Sequence, residues 1–225
     1  MKISPSENDF IDIHSHLLDN EKNVFRILNT STIDIPSFLS DQPVSVGLHP
    51  WHINDSAIEA LPGILVNSLE LPQVKAVGET GLDRFIKTDM EKQTEVFAIH
   101  IKFALEYNKP LIIHCVRAYS ELINLKNKYG SKVKWIIHGF NGNENSAEEL
   151  VSKGFYIFLG FRLLKNEEKV LSLMKYLKQD RIFIETDEDN IPVKDLYSKV
   201  AELYQTDLVS LHKIIRNNYQ EAFNE

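Results

Sequence analysis

The sequence predicts an α/β protein, and within that class a (β/α)8 barrel of the TIM type. Two observations indicate this fold: short, almost continuous apolar runs recur along the chain, and an amphipathic run follows most of them. Strands that are buried on both faces of a parallel sheet have this apolar character. Strands that alternate with helices form right-handed crossover units, and eight such units close into a barrel. An open, doubly wound sheet is the alternative.

Eight segments are predicted to be strands because they are short, apolar and rich in branched side chains. They are residues 10–14, 24–28, 44–48, 74–78, 111–115, 133–137, 155–159 and 181–185. Among the helical patterns between them, the strongest places Phe97, Ile101 and Leu105 at helical spacing. The predicted helices are residues 55–71, 88–108, 119–128, 146–153, 167–178 and, in one or two pieces, 193–225.

One connection departs from the barrel pattern. Too few residues separate His16 from Val24 for a helix that crosses back along a barrel, because a parallel connection normally needs about a dozen residues. Either the first crossover helix is missing, or the second strand is not parallel to the first. Residues 29–42 are also poor in helical pattern, so this side of the barrel is expected to be the least regular.

Length and composition predict one domain that covers residues 1–225, with 43% hydrophobic and 25% charged residues. No apolar run approaches the roughly 18 residues of a membrane span, and Met1 to Asn8 lack the pattern of a signal peptide. The single cysteine, Cys115, excludes an internal disulfide, so a cytoplasmic location is predicted. The net charge of −7 argues against a broad basic surface for gripping duplex DNA.

A metal site is predicted at the carboxyl ends of the strands. The first strand runs into Asp12, His14 and His16, which point the same way because side chains alternate along a strand. Alone, this pair of histidines is a weak signal. Other predicted strands also end in histidine or a carboxylate, namely His49, Glu79, His114, His138, Glu185 and Asp187. This repetition at one structural position indicates a metal centre at the end of a barrel where active sites lie.

The types of ligand narrow the choice of metal. Imidazole and carboxylate groups suit Zn, Mn, Fe or Mg. Four histidines and two acids exceed the needs of one tetrahedral zinc, and they suit two divalent ions about 3.5–4 Å apart that share a carboxylate. Cys115 adjoins His114, so strand alternation turns the thiol toward the helices, and we interpret it as a small buried hydrophobic residue.

The ordered motifs IDIHSHL, VGLHPW, AVGETGLD, PLIIHC, IIHGFNG and FIETD resemble those of the TatD family of metal-dependent deoxyribonucleases. The resemblance runs from about Ile11 to Phe223 and implies a (β/α)8 barrel of the amidohydrolase-like superfamily. It also implies two divalent metal ions, Mg, Mn or Zn. The implied ligands are His14, His16, Glu79 and Asp187 for the first ion, and Glu79, His114 and His138 for the second.

The resemblance also implies roles for single residues. Asp187 would be both a ligand and the general base for the attacking water, and Glu79 would bridge the two ions. His49 is expected either to contact the scissile phosphate or a leaving oxygen, or to stiffen its loop. Arg117 is a candidate for phosphate binding, with an ordinary surface position as the alternative.

Two further acids, Asp12 and Glu185, lie one step deeper along their strands than the implied ligands. They are predicted to support the ligands rather than to bind metal, with Asp12 orienting a ligand histidine. Aromatic and basic residues for stacking and phosphate contact are expected at the mouth of the barrel. The candidates are Trp51, Phe140, Lys87 and Arg117.

Two departures from the family affect the substrate side. The family motif HCFSG reads HGFNG from His138 to Gly142, and the chain is short after the first strand. The predicted function is hydrolysis of a DNA phosphodiester by a metal-activated water, of the 3'-5' exonuclease type, at a strand end rather than on a long duplex. The alternatives are hydrolysis of a carboxylic ester, lactone, amide or small phosphate ester on the same scaffold, or a non-catalytic metal-binding barrel.

Overall fold

The computed structural model describes residues 3–18, 21–30, 41–130 and 132–224. Within them, eight strands pair in chain order, and every pair is parallel. The strands are β1 (Phe10–Ser15), β2 (Val24–Thr30), β3 (Val44–Val46), β4 (Val74–Asp83), β5 (Leu111–Val116), β6 (Trp135–His138), β7 (Phe155–Gly160) and β8 (Ile182–Glu185). This order confirms the predicted barrel.

Helices follow most of the strands and cover the outside of the sheet. They are α1 (Asp55–Leu69), α2 (Met90–Glu106), α3 (Tyr119–Tyr129), α4 (Glu144–Ser152), α5 (Phe161–Leu164), α6 (Glu167–Met174), α7 (Val193–Leu203) and α8 (Leu208–Phe223). Five of them begin at an Asn or Asp whose side chain accepts a hydrogen bond from a backbone N–H of the first turn, which satisfies a group that the helix leaves unpaired. None of the helices in the described ranges is long and apolar enough to cross a membrane.

The connection between β1 and β2 is the irregular one. The two strands are parallel, and no helix occurs among the described residues 17–18 and 21–23 that join them. The first of the two alternatives therefore holds for the described part of this connection. The pairing register between the two strands shifts between Asp12 and Ser15. Of the segment 29–42, residues 31–40 lie outside the described residues, while Asn29 and Thr30 belong to β2 and residues 41–42 precede β3.

The barrel closes where β8 meets β1, near their carboxyl ends. The backbone N–H of His16 donates to the carbonyl of Asp187 at 2.8 Å, and the N–H of Asp187 donates to the carbonyl of His14 at 3.0 Å. Deeper in the seam, the hydroxyl of Tyr197 accepts from the N–H of Ile11 and donates to its carbonyl, both at 3.0 Å. Side-chain bonding thus replaces part of the ladder between the first and last strands.

Candidate metal centre

Glu79 lies at the centre of the carboxyl end of the barrel and is 3% exposed. Its Oε2 atom is 3.6 Å from Nε2 of His14 and 3.5 Å from Nε2 of His16. Oδ1 of Asp187 is 3.8 Å and 3.6 Å from the same two nitrogens. Donor atoms at this spacing can surround one cation whose bonds to nitrogen and oxygen are about 2.0–2.2 Å long.

The surroundings of His14 fit a cation as well. Its side chain is fully buried, and neither ring nitrogen has a hydrogen-bond partner among the described residues. Buried polar atoms nearly always have a partner, and an unsatisfied one calls for an explanation such as an ion. A cation held at Nε2, together with His16, Glu79 and Asp187, would supply the missing partner for that nitrogen.

The other carboxylate oxygen of Glu79 faces a second set of histidines. Its Oε1 atom is 2.8 Å from Nε2 of His138, 3.1 Å from Nδ1 of His114 and 3.2 Å from Nε2 of His49. The two oxygens of one buried carboxylate therefore face two different groups of nitrogen donors. Three overlapping groups of these side chains have the spacing to hold a metal ion, and they are His14–His16–Glu79, His14–His138–Asp187 and His49–Glu79–His114.

Two of these histidines are each backed by a further buried acid. Nε2 of His114 lies 3.1 Å from Oδ2 of Asp83, and Nδ1 of His138 lies 3.2 Å from Oε2 of Glu185. Metal-binding histidines usually donate their second N–H to a carboxylate in this way, which fixes the ring and its tautomer. Glu185 also accepts the backbone N–H of Gly139 at 2.9 Å.

The hydrogen bonds of His49 distinguish it from the other histidines. Its Nδ1 accepts the backbone N–H of Trp51 at 3.1 Å, so its proton must be on Nε2, which faces Glu79. An imidazole in this form has no free lone pair on the nitrogen that faces the site. It is a hydrogen-bond donor toward Oε1 of Glu79, and this form disfavours metal ligation through Nε2.

Local backbone geometry brings Glu79 and His114 together. Gly78 and Gly81 have φ values of +137° and +145°, which L side chains rarely adopt. A Cβ atom would lie 2.2 Å from the carbonyl oxygen of Ile112 at Gly78, and 2.0 Å from that of His114 at Gly81. The glycines on either side of Glu79 therefore allow β4 to lie directly against β5.

Asp187 also has a positive φ, +57°, although it is not a glycine. Its backbone is held there by the hydrogen bonds to His14 and His16 that close the barrel. A non-glycine residue in this region is uncommon and is often found at functional sites. The same bonds that close the barrel therefore position three of the candidate ligands relative to one another.

Burial and mutual charge set the ionisation of the centre. Burial opposes the charge on Glu79, but the neighbouring histidines, His138 first, hold the pKa of its carboxyl well below the usual range. Burial, together with the charge of His138, lowers the pKa of His14 well below its ordinary value. An ionised carboxylate and a neutral imidazole are the forms that bind a metal ion. His138 differs, because burial opposes its charge but Glu79 and Glu185 raise its pKa well above the ordinary value, so a metal ion bound there would displace a proton. For Cys115, burial raises the pKa of the thiol to about 12, so it stays protonated and is unsuited to metal binding.

The hydrogen bonds of Asp12 differ from the prediction that it orients a ligand histidine. Within the described part of the chain, its carboxylate accepts from Nε of Arg26 at 2.6 Å and from Oγ1 and the backbone N–H of Thr186 at 2.7 Å and 3.1 Å. The reason is the barrel register, which places Asp12 opposite Arg26 on β2 and beside the end of β8. Asp12 thus fixes the position of Thr186, the residue before Asp187.

Sequence reasoning missed Asn29, at the end of β2. Its Nδ2 donates to Oε2 of Glu79 at 3.0 Å and lies 3.5 Å from Nε2 of His16, and its Oδ1 accepts the backbone N–H of Glu79 at 3.1 Å. Asn29 therefore holds both the side chain and the backbone of the central acid. The sequence does place Asn29 near the end of a predicted strand. An asparagine there does not by itself indicate a metal site, because it is not one of the usual ligand types for these ions.

A cleft of about 1310 Å³ opens over the centre. Arg117 lies at its rim with its guanidinium 5.0 Å from the centre of the Phe85 ring, and Trp51 also lines the cleft. Phe140, predicted as a stacking residue, is only 2% exposed because its ring packs against Tyr119. Its ring is therefore not available for stacking on a substrate.

These observations define a class: a parallel α/β barrel with clustered histidine and acid side chains at the carboxyl ends of its strands. Comparison with known proteins places the chain within that class. The family model described as TatD related DNase matches residues 39–224. The chain therefore belongs to the TatD-related DNase family of metal-dependent hydrolases, which confirms the resemblance found in its motifs.

The relatives agree with this family. The chain is 34% identical over 169 residues to an uncharacterized metal-dependent hydrolase of Buchnera aphidicola subsp. Baizongia pistaciae, across 72% of this chain and 63% of that protein. It is 27% identical over 157 residues to a protein of Erwinia tasmaniensis named 3'-5' ssDNA/RNA exonuclease TatD, across 68% of this chain and 60% of that protein. The matched region thus spans less than two thirds of either relative.

The fold also matches a solved structure. The crystal structure of YJJV, a TatD homolog from Escherichia coli K12, superposes with a TM-score of 0.81 at 22% identity. The match covers 98% of this chain and 100% of that chain. The barrel is therefore shared over nearly its whole length.

Proposed function

We propose that this chain is an exonuclease that hydrolyses DNA phosphodiester bonds from a strand end, with two divalent metal ions. The observation that carries the proposal is the position of Glu79, whose two oxygens face separate groups of donors. A shared carboxylate between two sets of ligands is the arrangement of two-metal hydrolases that act on phosphates. His14, His16 and Asp187 would complete the first site, and His114 and His138 would complete the second.

The reaction depends on groups that surround the cleft. When bound, divalent ions lower the pKa of the attacking water and neutralise negative charge on the phosphate. Asp187, whose side chain is 16% exposed, faces both the first group of donors and the cleft, so it can accept a proton from that water. His49 presents Nε2–H to the site and can donate to a phosphate oxygen. Arg117 at the rim adds positive charge for the phosphate.

The choice of substrate rests on two supports. The Erwinia relative is named as an exonuclease that acts on single-stranded DNA and RNA. The net charge of −7 disfavours a broad basic surface that could bind duplex DNA along its length. A strand end needs contacts only around the cleft. A cytoplasmic location remains a prediction from the cysteine content.

The test is hydrolysis of a short, end-labelled single-stranded DNA by metal-free protein with Mg, Mn or Zn added back. We expect metal-dependent laddering from the 3' end and a loss of roughly 100-fold or more in Asp187→Asn, which removes the proposed base. Glu168→Gln is the control, because Glu168 is an exposed acid on α6 that does not line the cleft. Full activity of Asp187→Asn, or no cleavage by metal-loaded wild-type protein, would refute the proposal.

A further inference from the structure

Two exposed aromatic rings lie at the rim of the cleft. Trp51 is 63% exposed and Phe85 is 69% exposed, and both line the cleft over the metal centre. We call this pair the aromatic rim. The other exposed large hydrophobic side chains in the described ranges are aliphatic, and they are Leu18, Val66, Leu71, Leu171 and Val209. The large aromatic groups left open to solvent are therefore concentrated beside the candidate active site.

The aromatic rim is attached to the centre through one carboxylate. Oδ2 of Asp83 accepts from the indole Nε1–H of Trp51 at 2.7 Å, and Oδ1 accepts from the backbone N–H of Phe85 at 2.8 Å. The same Oδ2 atom lies 3.1 Å from Nε2 of His114. Asp83 is itself buried, so this arrangement fixes the orientation of the indole and leaves its apolar surface exposed.

Distance places the rim within reach of a substrate at the centre. The Trp51 ring lies 5.0 Å from the His49 ring and 6.0 Å from the His114 ring, measured between centroids, and both contacts are edge-to-face. A planar group stacked on the indole would therefore be a neighbour of the bond that the centre acts on. The planar groups of a nucleic acid are its bases, and stacking on aromatic side chains is how single strands are commonly bound.

Charge on the same rim fits a nucleotide. The guanidinium of Arg117 lies over the Phe85 ring, and within the described part of the chain Arg117 forms no ion pair. It can therefore pair with a phosphate while it remains stacked on the ring. An aromatic surface for a base and a cation for a phosphate lie side by side.

We propose that the aromatic rim stacks an unpaired base next to the scissile phosphodiester, so that the enzyme selects single-stranded ends that carry a base. This inference rests on the proposed exonuclease function and adds the feature of the substrate that is recognised. Since a duplex hides its bases between neighbouring pairs, the rim disfavours paired ends.

Intrinsic fluorescence provides the test, because the chain has two tryptophans and Trp135 is fully buried. Asp187→Asn protein loaded with Mn would be titrated with a short single-stranded DNA and with an abasic strand of equal length. We expect quenching by the first strand and not by the second. A Trp51→Leu change in the same background should weaken binding of the base-bearing strand roughly tenfold or more, by anisotropy of a labelled strand.

Further variants separate stacking from the bond to Asp83. Trp51→Phe keeps a ring but loses the indole N–H, so it should retain most of the affinity if stacking is the cause. Val209→Ala, at an exposed apolar position on α8, is the control for lost surface area. Metal affinity measured by calorimetry should be equal in all variants, which shows that the centre is intact.

The outcomes separate this inference from the proposed function. Equal affinity for base-bearing and abasic strands, or unchanged affinity in Trp51→Leu, overturns the inference even if wild-type protein cleaves DNA. Quenching that requires a base, without any hydrolysis by wild-type protein, supports the stacking surface and refutes the exonuclease.

Discussion

At the scale of single residues, the centre depends on groups that hold Glu79 in place. Its carboxylate is buried, ionised and surrounded by histidines. Asn29 is the uncharged donor in this group, with one hydrogen bond to the carboxylate and one from the Glu79 backbone. Groups that orient a ligand in this way typically change metal affinity by 10- to 100-fold when removed.

Asn29→Ala should therefore weaken binding of Mn²⁺ by roughly 10- to 100-fold, because Oε2 of Glu79 loses a fixed donor. Isothermal titration of metal-free protein measures this effect directly. Ser45→Ala removes only the hydroxyl that donates to Oδ1 of Asn29 at 3.4 Å, a long contact to the atom that also accepts the Glu79 N–H, so a much smaller loss is expected there. Equal affinities for all three proteins would show that Asn29 does not position the acid.

At the scale of elements, α2 supports the loop that carries His49. His100 on α2 is fully buried, and its Nε2 accepts the backbone N–H of Leu48 at 2.9 Å. Its other ring nitrogen faces the carbonyl of Val96 at 2.9 Å and must carry the proton. Burial lowers the pKa of His100 to about 4, so the ring is neutral in the folded protein at neutral pH.

This low pKa predicts a loss of stability in acid. Below pH 6.5 His100 becomes protonated in the unfolded chain, whereas in the folded protein it stays neutral down to pH about 4. The free energy of unfolding therefore falls as the pH drops from 6.5 to about 4. Through His100 alone, the free energy of unfolding is lowered by about 2 kcal/mol at pH 5 and by about 3 kcal/mol at pH 4. Urea unfolding measures the free energy of unfolding at pH 7.5 and at pH 5. The decrease between these two pH values should be about 2 kcal/mol smaller in His100→Gln than in wild-type protein. His52→Gln, on an exposed turn, controls for the loss of a histidine, and an equal pH effect in all proteins would contradict the prediction.

Two glycines, one at the contact between β4 and β5 and one on α1, should respond in opposite ways to replacement by alanine. Gly81→Ala should cost about 3 kcal/mol or more, because the new Cβ would lie 2.0 Å from a backbone oxygen and φ is +145°. Gly63→Ala on α1 meets no atom within 4 Å and should stabilise by up to about 1 kcal/mol through helix propensity. Thermal unfolding followed by circular dichroism compares them, and a similar effect of both changes would count against the strand contact.

At the scale of the whole molecule, barrel closure and the candidate metal centre occupy the same seam. The bonds between Asp187 and the first strand lie at the top, and the Tyr197 hydroxyl bridges the backbone of Ile11 below. A metal ion that joins ligands from β1 and the end of β8 would therefore also stabilise the closed barrel by mass action.

Tyr197→Phe should cost about 1–3 kcal/mol, because it leaves a buried N–H and carbonyl of β1 without their partner. Hydrogen exchange followed by mass spectrometry should show faster exchange in β1 than in wild-type protein, with β5 less affected. Tyr107→Phe, at a partly exposed position after α2, is the control. Uniform acceleration over all strands would mean that the seam does not open separately.

The sequence by itself determined the barrel and the family. Apolar runs alternate with amphipathic ones, and these local periodicities follow from burial of each element on its own. The histidines and acids at strand ends, such as His114 and Glu79, were visible because parallel strands bring the same end of each strand to one face. The family motifs then implied which of them would act together, and the structure brings these side chains around Glu79.

Only the tertiary structure decided the contacts that depend on register and closure. Three sets of hydrogen bonds join residues far apart in the chain: those of Asp12 to its partners, of Asn29 to Glu79, and of Trp51 to Asp83. Periodicity reports which face of a strand or helix is buried, whereas the identity of a hydrogen-bond partner is set by how the strands align around the closed barrel.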